Sequence, residues 1–259
     1  MKLKNKKIIV TGAGSGIGKE LTKILVKKGA HVIAVDINEK SLEKLKKEVK
    51  NVSTYIVDIS NKDSLIKFKK ECLAKEKEID GLINNAGIIQ PFISLNDLKE
   101  DTINRVMNIN FYGPLHLIKL FLPELLTRKE AHIVNISSMG GFFPFPNQTI
   151  YGVSKAALKM LSEGLYGELI NTNVKVTVVF PGAINTNIVN NSKVKLENIN
   201  SYTNYKLTSA SKAAKDIIKG IEKNKLQVYV GSDSKMMKVM YKLNPKKAID
   251  YVNKKTCKK

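Results

Sequence analysis

The fold is decided by Lys7-Ile8-Ile9-Val10-Thr11-Gly12-Ala13-Gly14-Ser15-Gly16-Ile17-Gly18, where a short apolar run empties into a glycine-rich turn and then into an amphipathic stretch. A turn that holds a nucleotide needs glycine, because the backbone must bend tightly and approach a diphosphate closely. The helix that follows presents free N–H groups and the positive end of its dipole to the same phosphates. The strict G-x-G-x-x-G spacing is not kept, since Ile17 occupies its third glycine position. The pattern present is Thr-Gly-x-x-x-Gly-x-Gly, a different spacing of the same device, and its place between a strand and a helix gives it weight. Gly12, Ser15, Gly16, Ile17 and Gly18 are the expected contacts on the phosphate side.

Outward from this turn, short apolar runs alternate with longer amphipathic ones, the βαβ rhythm of a parallel sheet. Strands are predicted over Lys7–Thr11, His31–Asp36, Thr54–Asp58, Gly81–Asn84, His132–Ser137, Lys175–Phe180 and Gln227–Val230. Helices are predicted over Gly18–Lys28, Ser41–Val49, Lys62–Lys75, Val106–Leu126 and Tyr151–Leu169. This alternation implies an α/β fold: one doubly wound domain over 1–231, with a parallel sheet of about seven strands and helices on both faces. Asn185–Leu207 is polar and without period, and it follows a strand end, so it reads as a substrate loop. Residues 232–259 form a basic tail, helical from about Ser234 to Leu243, with Met236, Met237 and Met240 set among lysines.

The second predicted strand ends at Asp36. A carboxylate there accepts both ribose hydroxyls of an adenosine and repels a 2′-phosphate. Aspartate is also favoured as a helix N-cap at such a junction. No Arg or Lys stands in the glycine turn or at position 37, which favours NAD over NADP. Asp58 ends the third predicted strand and serves either the adenine amino group or a turn.

The chain has 259 residues, 43% of them hydrophobic, enough to bury a real core and to exclude general disorder. Its 44 Lys and Arg against 23 Asp and Glu give a net charge of +21, which raises nucleic acid, an anionic membrane or acidic ligands as partners. Only Arg105 and Arg128 are arginine, the residue that forks onto guanine edges and phosphates, so no nucleic-acid partner is expected. Lysine, asparagine and isoleucine all have A/T-rich codons, and compositional bias is the plainer explanation of the charge. Cys72 and Cys257 build no disulfide framework, and His31, His116 and His132 have no ligand spacing, so no metal is expected. The basic Met1–Lys7 leads into a strand and not a signal segment, and no apolar run reaches membrane-spanning length. The expected compartment is a reducing cytosol, making this a cytoplasmic protein.

Tyr151-Gly152-Val153-Ser154-Lys155 puts a phenol and an ammonium on one helix face, where the cation favours the phenolate. Nine tyrosines in so lysine-rich a chain yield about 1.5 such pairs by chance. Three occur: Tyr151/Lys155, Tyr202/Lys206 and Tyr251/Lys255. Ser138 lies 13 residues before Tyr151 at a strand end, whereas Val189 and Lys238 hold the matching positions for the other two. Only the first pair therefore has a hydroxyl placed to hold a carbonyl.

With these pieces in place the chain resembles the short-chain dehydrogenase/reductase family from about Lys4 to Val230. The matching residues are Thr11–Gly18, Asp58, Asn84-Asn85-Ala86-Gly87, Asn110 in Asn110-Phe111-Tyr112-Gly113, Ser138, Tyr151, Lys155 and Pro181-Gly182. The resemblance implies a Rossmann-type domain and a catalytic tetrad of Asn110, Ser138, Tyr151 and Lys155. It implies that Asn85, Ala86 and Gly87 line the cofactor groove with Ile59, and that Pro181, Gly182, Ile184 and Thr186 meet the nicotinamide side. In it Tyr151 acts as general base or acid, and Ser138 holds the substrate oxygen. Lys155 lowers the phenol pKa and binds ribose hydroxyls, and Asn110 helps hold a water that relays the proton.

The substrate implied is an apolar secondary alcohol or ketone, because Phe142, Phe143 and Phe145 lie between Ser138 and Tyr151, with Gln90 expected on the same wall. The alternative for the phenylalanines is a place in the core or a subunit contact. No arginine in these two segments suggests a small carboxylic acid as substrate. Other readings are an NADP-dependent ketone or acyl-carrier reductase, and a non-catalytic protein that senses the cofactor. The tail packs over the substrate site or a neighbouring subunit in the favoured reading, and lies on an anionic membrane in the other. The family's usual assembly implies a homodimer or homotetramer.

Overall fold

In the computed structural model, residues 1–192, 194 and 207–256 are described. The strands are β1 (Lys7–Thr11), β2 (His31–Asp36), β3 (Val52–Ile56), β4 (Gly81–Asn84), β5 (Ala131–Ile136), β6 (Val174–Pro181), β7 (Ile184–Asn185), β8 (Thr208–Ser209) and β9 (Gln227–Val230). The α-helices are α1 (Gly16–Lys27), α2 (Glu39–Glu48), α3 (Lys62–Glu76), α4 (Glu100–Met107), α5 (Gly113–Leu126), α6 (Thr149–Glu168), α7 (Ile188–Asn191), α8 (Ala210–Glu222), α9 (Ser232–Leu243) and α10 (Pro245–Thr256). Seven strands form one sheet in the order β3-β2-β1-β4-β5-β6-β9, with every neighbouring pair parallel. Strands covered on both faces read as unbroken apolar runs, which is why β1 and β2 are nearly all Val, Ile and Ala inside and β6 buries Val174, Val176, Val178, Val179 and Phe180.

Two apolar layers flank the sheet. On one face Leu21 and Leu25 of α1, Leu42 and Leu45 of α2, and Ile217 and Ile221 of α8 pack on Val10, Ala34 and Val179. On the other, Leu65 and Phe68 of α3, Phe121 of α5 and Leu165 of α6 pack on Ile9, Ile33 and Ile133. A third, smaller cluster joins Phe143 to Met237, Ala248 and Val252, so that α9 and α10 are seated against the segment that leads into α6.

Two differences from the sequence expectation bear on the site. β3 ends at Ile56 and not at Asp58, because Asp58 turns the chain by accepting from the N–H and hydroxyl of Ser60 at 2.9 and 2.6 Å. The single helix expected over 106–126 is α4 and α5 joined by a π-turn at Asn108–Tyr112, with Gly113 N–H reaching the Asn108 carbonyl. Pro114 has no N–H to offer the Asn110 carbonyl, so a regular α-helical ladder through this point would miss one bond. Within the expected substrate loop, β7 and β8 pair where the chain leaves and returns, and α7 lies between them. Positions 193 and 195–206 lie outside the described residues, and with them the pair Tyr202/Lys206; Cys257 does also.

Candidate active site

The site forms where the sheet order reverses, between the carboxyl ends of β1 and β4, the crevice in which open α/β sheets bind ligands. These ends are laced together. Thr11 Oγ1 accepts from the N–H groups of Asn85 and Ala86, both at 3.0 Å, and Asn85 Nδ2 donates to the Thr11 carbonyl at 2.9 Å. Gly12 then turns with φ +63°, where a side chain would meet the Ala86 backbone. A Cβ at Gly18 would collide with the Gly12 carbonyl, so that glycine lets α1 close onto the turn. Asp36, at the end of β2, accepts from Gly14 N–H at 2.8 Å and Asn38 N–H at 3.0 Å. The N-cap of α2 is Asn38, whose side chain accepts from Ser41 N–H, so Asp36 is not spent as the cap.

One cavity of about 980 Å³ runs from this turn to the start of α6. Its far end carries Asp36, Asp58 and Ile59, its floor Gly12, Ser15, Gly16 and Ile17, and its middle Asn85, Ala86 and Gly87. Pro181, Gly182, Ile184 and Thr186 close it from the β6 side, and Ser138, Tyr151 and Lys155 stand at the near end. A Cβ at Gly87 would come within 3.1 Å of both Asn110 Oδ1 and Lys155 Nζ, and one at Gly16 within 3.2 Å of Thr186. The glycines thus keep a continuous groove open over the length of a dinucleotide, and the residues present fit such a cofactor.

α6 carries Tyr151 and Lys155 one turn apart, and β5 delivers Ser138 opposite them. Lys155 is buried, and its ammonium donates to the Ile136 carbonyl at 3.0 Å, 6.0 Å from the Tyr151 ring centroid. Burial pushes its pKa down to about 8. Burial also raises the Tyr151 pKa, against a hydrogen bond from Ser138 that lowers it. Desolvation, the same force that weakens the ammonium, dominates both groups.

Asn110 sits behind the wall, fully buried. Its Oδ1 accepts from Ile88 N–H at 2.9 Å, and its Nδ2 donates to the Ile88 carbonyl at 2.9 Å and to Ser154 Oγ at 3.0 Å. The side chain thus pins the π-turn to the strand-end loop and to α6 at once.

Some of the expected site residues lie away from the cavity wall. Gly18 packs beneath the turn and does not line the cavity. Gln90 is fully buried away from the wall: its Oε1 accepts from Tyr151 N–H at 3.0 Å and its Nε2 donates to the Asn147 carbonyl at 3.1 Å. It caps the first turn of α6, which Gln148 leaves without a side-chain cap. Phe142 packs on Phe180 and Tyr229, with ring centroids 5.4 and 5.6 Å away, and Phe143 is enclosed by the tail cluster. Of the three phenylalanines only Phe145 lines the cavity.

Sequence reasoning missed Arg105 of α4, which also lines it; Met236 and Met237 of α9, in the tail read as packing over the substrate site or a neighbouring subunit, line it too. Arg105 carries no salt bridge among the described residues, and its Nη1 lies 3.5 Å from the Ser192 carbonyl. An apolar period running past Val106 into α5 hid it. The tail reaches the cavity because Asp233 accepts from Ala183 N–H at 2.6 Å and Ser234 donates to the Phe180 carbonyl at 2.8 Å. Over the opposite rim, Ser192 Oγ accepts from Ile89 N–H at 2.9 Å, and Asn191 donates to Ser15 Oγ at 3.1 Å.

No group of three or more His, Cys, Asp or Glu able to hold a metal is present among the described residues. His31 belongs to an ion-paired cluster, and His132 is buried against Thr177. No helix of the described residues is long and apolar enough to cross a membrane.

This arrangement defines a doubly wound dinucleotide-binding fold with a tyrosine–lysine–serine site at its switch point. Residues 6–197 match the short chain dehydrogenase family, and the chain belongs to it as an oxidoreductase. A relative is the 3-oxoacyl-[acyl-carrier-protein] reductase FabG of Thermotoga maritima, 34% identical over 190 residues, covering 72% of this chain and 77% of that protein. Among solved structures, a short-chain dehydrogenase/reductase of Burkholderia phymatum in complex with NAD superposes with TM-score 0.81 at 22% identity, covering 94% of this chain and 96% of that one. A short chain dehydrogenase of Burkholderia cenocepacia in complex with NADP gives 0.82 at 24%, covering 97% and 99%. The two structures speak to the fold.

Proposed function

We propose that this chain transfers a hydride between NAD and an apolar secondary alcohol or ketone, with Tyr151 as the general acid and base. The observation that carries this reading is the convergence of Ser138, Tyr151 and Lys155 on one end of a cavity whose other end carries Asp36 and the glycine turn. Gly12, Ser15, Gly16 and Ile17 would hold the diphosphate. Asp36 would accept the adenosine ribose hydroxyls, Asp58 and Ile59 would border the adenine, and Asn85–Gly87 with Pro181, Gly182, Ile184 and Thr186 would flank the rest. When bound, the nicotinamide supplies the hydride donor or acceptor.

In the reducing direction Ser138 Oγ holds the carbonyl oxygen, and Tyr151 Oη gives it the proton as negative charge develops there. In the oxidising direction the phenol oxygen takes that proton back. The Lys155 ammonium offers the ribose a donor and makes the departing charge on the phenol less costly. Asn110 acts by holding the π-turn, whose carbonyl at position 110 lacks an i+4 donor and suits a water on the way to solvent. Phe145, Met236 and Met237 would form the apolar wall for the substrate.

Tyr151→Phe tests the assignment. Turnover should fall by about 10³-fold, the scale of a lost general acid, while NAD still quenches or enhances fluorescence on binding with unchanged affinity. Unaltered turnover would overturn the reading.

A second reading, NADPH-linked reduction of a ketone or 3-oxoacyl group, is favoured by the 34% identical relative that bears that reductase name. Comparing turnover with NADH and NADPH separates the two. Asp36→Ala should raise the NADPH-to-NADH ratio if the carboxylate is what excludes a 2′-phosphate. A homodimer or homotetramer is proposed on the exposed stripe of α6, where Val153 and Met160 stand outward and nothing lies near Gly164 and Gly167. Light scattering of Met160→Lys against the parent chain reads that contact.

A further inference from the structure

The tail from Ser232 onward holds nine lysines against two aspartates, in a chain already at +21. Folding sorts α9 into three stripes. Met237 and Tyr241 face inward onto Phe143. Lys235 and Lys242 line one outer flank, with the Lys238 ammonium between them turned onto the Tyr229 ring 4.0 Å away, and Met236, Val239 and Leu243 line the other, 47%, 56% and 80% exposed. Val239 and Leu243, one turn apart and open to water, join none of the apolar clusters of the described residues. The row begins at the cavity, since Met236 is both part of its wall and half-exposed. Lys246 and Lys247, at the start of α10, extend the basic flank beyond Leu243.

We propose that α9 docks the protein on an anionic lipid surface, with Val239 and Leu243 entering the headgroup layer and the flanking lysines meeting lipid phosphates and carboxylates. An amphipathic helix with a lysine flank and an exposed apolar flank lies in a membrane interface in this way, and polybasic segments add attraction to anionic lipid. The charge argues against a second copy of the chain, because a two-fold contact here would set lysine row against lysine row. The apolar row argues for lipid over an acidic protein, since headgroups answer the lysines while acyl chains answer Val239 and Leu243. Docked so, the cavity opens beside the bilayer at Met236, and an apolar substrate reaches it without crossing water. Among the tail's acids, Asp233 is held by Ala183 N–H, which leaves Asp250 as the exposed acid of α9 and α10 among the described residues.

The test is co-sedimentation of the full chain with phosphatidylcholine vesicles, with and without about one third phosphatidylserine, at about 0.1 M salt, where screening extends over ~10 Å. At least tenfold more protein should pellet with the phosphatidylserine vesicles. Val239→Ser combined with Leu243→Ser should lower that binding tenfold or more, and Lys242→Glu should lower it severalfold. Turnover of a soluble ketone should be unchanged in all of them, since none of the three positions lines the cavity. Equal pelleting with both vesicles, or undiminished binding of the serine double variant, would overturn the proposal. So would a fall in oligomer mass in that variant without vesicle binding by the parent, which assigns the row to a contact between copies. Retention on polyglutamate without vesicle binding would assign it to an acidic protein instead. The readout is binding, so it stands apart from the fate of the catalytic assignment.

Discussion

Two buried charges at opposite ends of the same sheet are treated in opposite ways. At the amino ends of the strands Glu76 is 5% exposed, and burial alone would raise its pKa. Ser53 donates to it at 2.7 Å, with His31 at 3.3 Å and the Lys7 ammonium at 3.5 Å, and together they hold the carboxyl below its usual range. Asp80, nearby and also buried, is met by Lys6 at 3.3 Å and Arg128 at 3.0 Å. At the carboxyl ends Lys155 is 3% exposed and, among the described residues, has one backbone carbonyl as its acceptor and no carboxylate partner, so its charged form is the strained one. The same burial is compensated at one end and left standing at the other. Cost is tolerated where the charge will be used, and removed where it only supports the fold.

The sharpest way to break this contrast is Lys155→Met. Turnover should drop by roughly 10²–10³-fold, as for loss of a preorganised charge at the reacting centre. The same change should raise stability by about 1–3 kcal/mol in urea unfolding, because an unpaired buried ammonium gives way to a packed side chain. The sign with pH is fixed by the shift. The folded pKa is about 8 and the ordinary value 10.5, so between these the unfolded chain keeps a proton the folded chain has lost. Parent stability therefore rises across that window, and its gap to Lys155→Met should narrow from pH 8 to 10.5. A variant less stable than the parent at pH 7 would end the comparison.

Glu76→Gln probes the other end. It leaves Lys7 and His31 facing an uncharged amide, at a cost of about 1–3 kcal/mol, with turnover unchanged. Because the folded carboxyl titrates below 4.5, that cost should be full above pH 4.5 and disappear as pH falls below it. A loss of turnover together with stability would show that the two ends are not independent. The smallest effect belongs to Gln90→Ala, which removes the acceptor for Tyr151 N–H and should cost about 1 kcal/mol. Turnover should fall severalfold while NAD affinity holds, since the cap positions Tyr151 and not the cofactor groove.

What could be read from the sequence follows the same division. The glycine turn, Asp36 and the Tyr151/Lys155 pair were legible because their geometry is set by neighbours a few residues away: a turn, a strand end and one helical repeat. Six of the seven sheet strands begin and end within one residue of their expected bounds, since an apolar run between turns fixes them. Contacts made by distant segments were not legible. Gln90 and Phe143 lie close in sequence to site residues and turn away from the cavity, one to cap a helix and one to anchor the tail. Met236, far along the chain, turns into it. The end of β3 was misplaced because Asp58 continues the apolar run in sequence but spends its side chain on Ser60. The π-turn at Asn110 was hidden within a single helical period.

The seating of α9 on Phe143 has a consequence for how such a protein changes over time. The family's sequence pattern matches 6–197, which contains the groove floor and the proton-transfer groups. Leu207, Met236 and Met237, which complete the cavity wall, come after it. Mutations accumulating in that last stretch re-cut one side of the cavity and leave the chemistry at its other side intact. A lineage can therefore exchange what it acts on by editing an appendage, while the reaction itself is inherited unchanged.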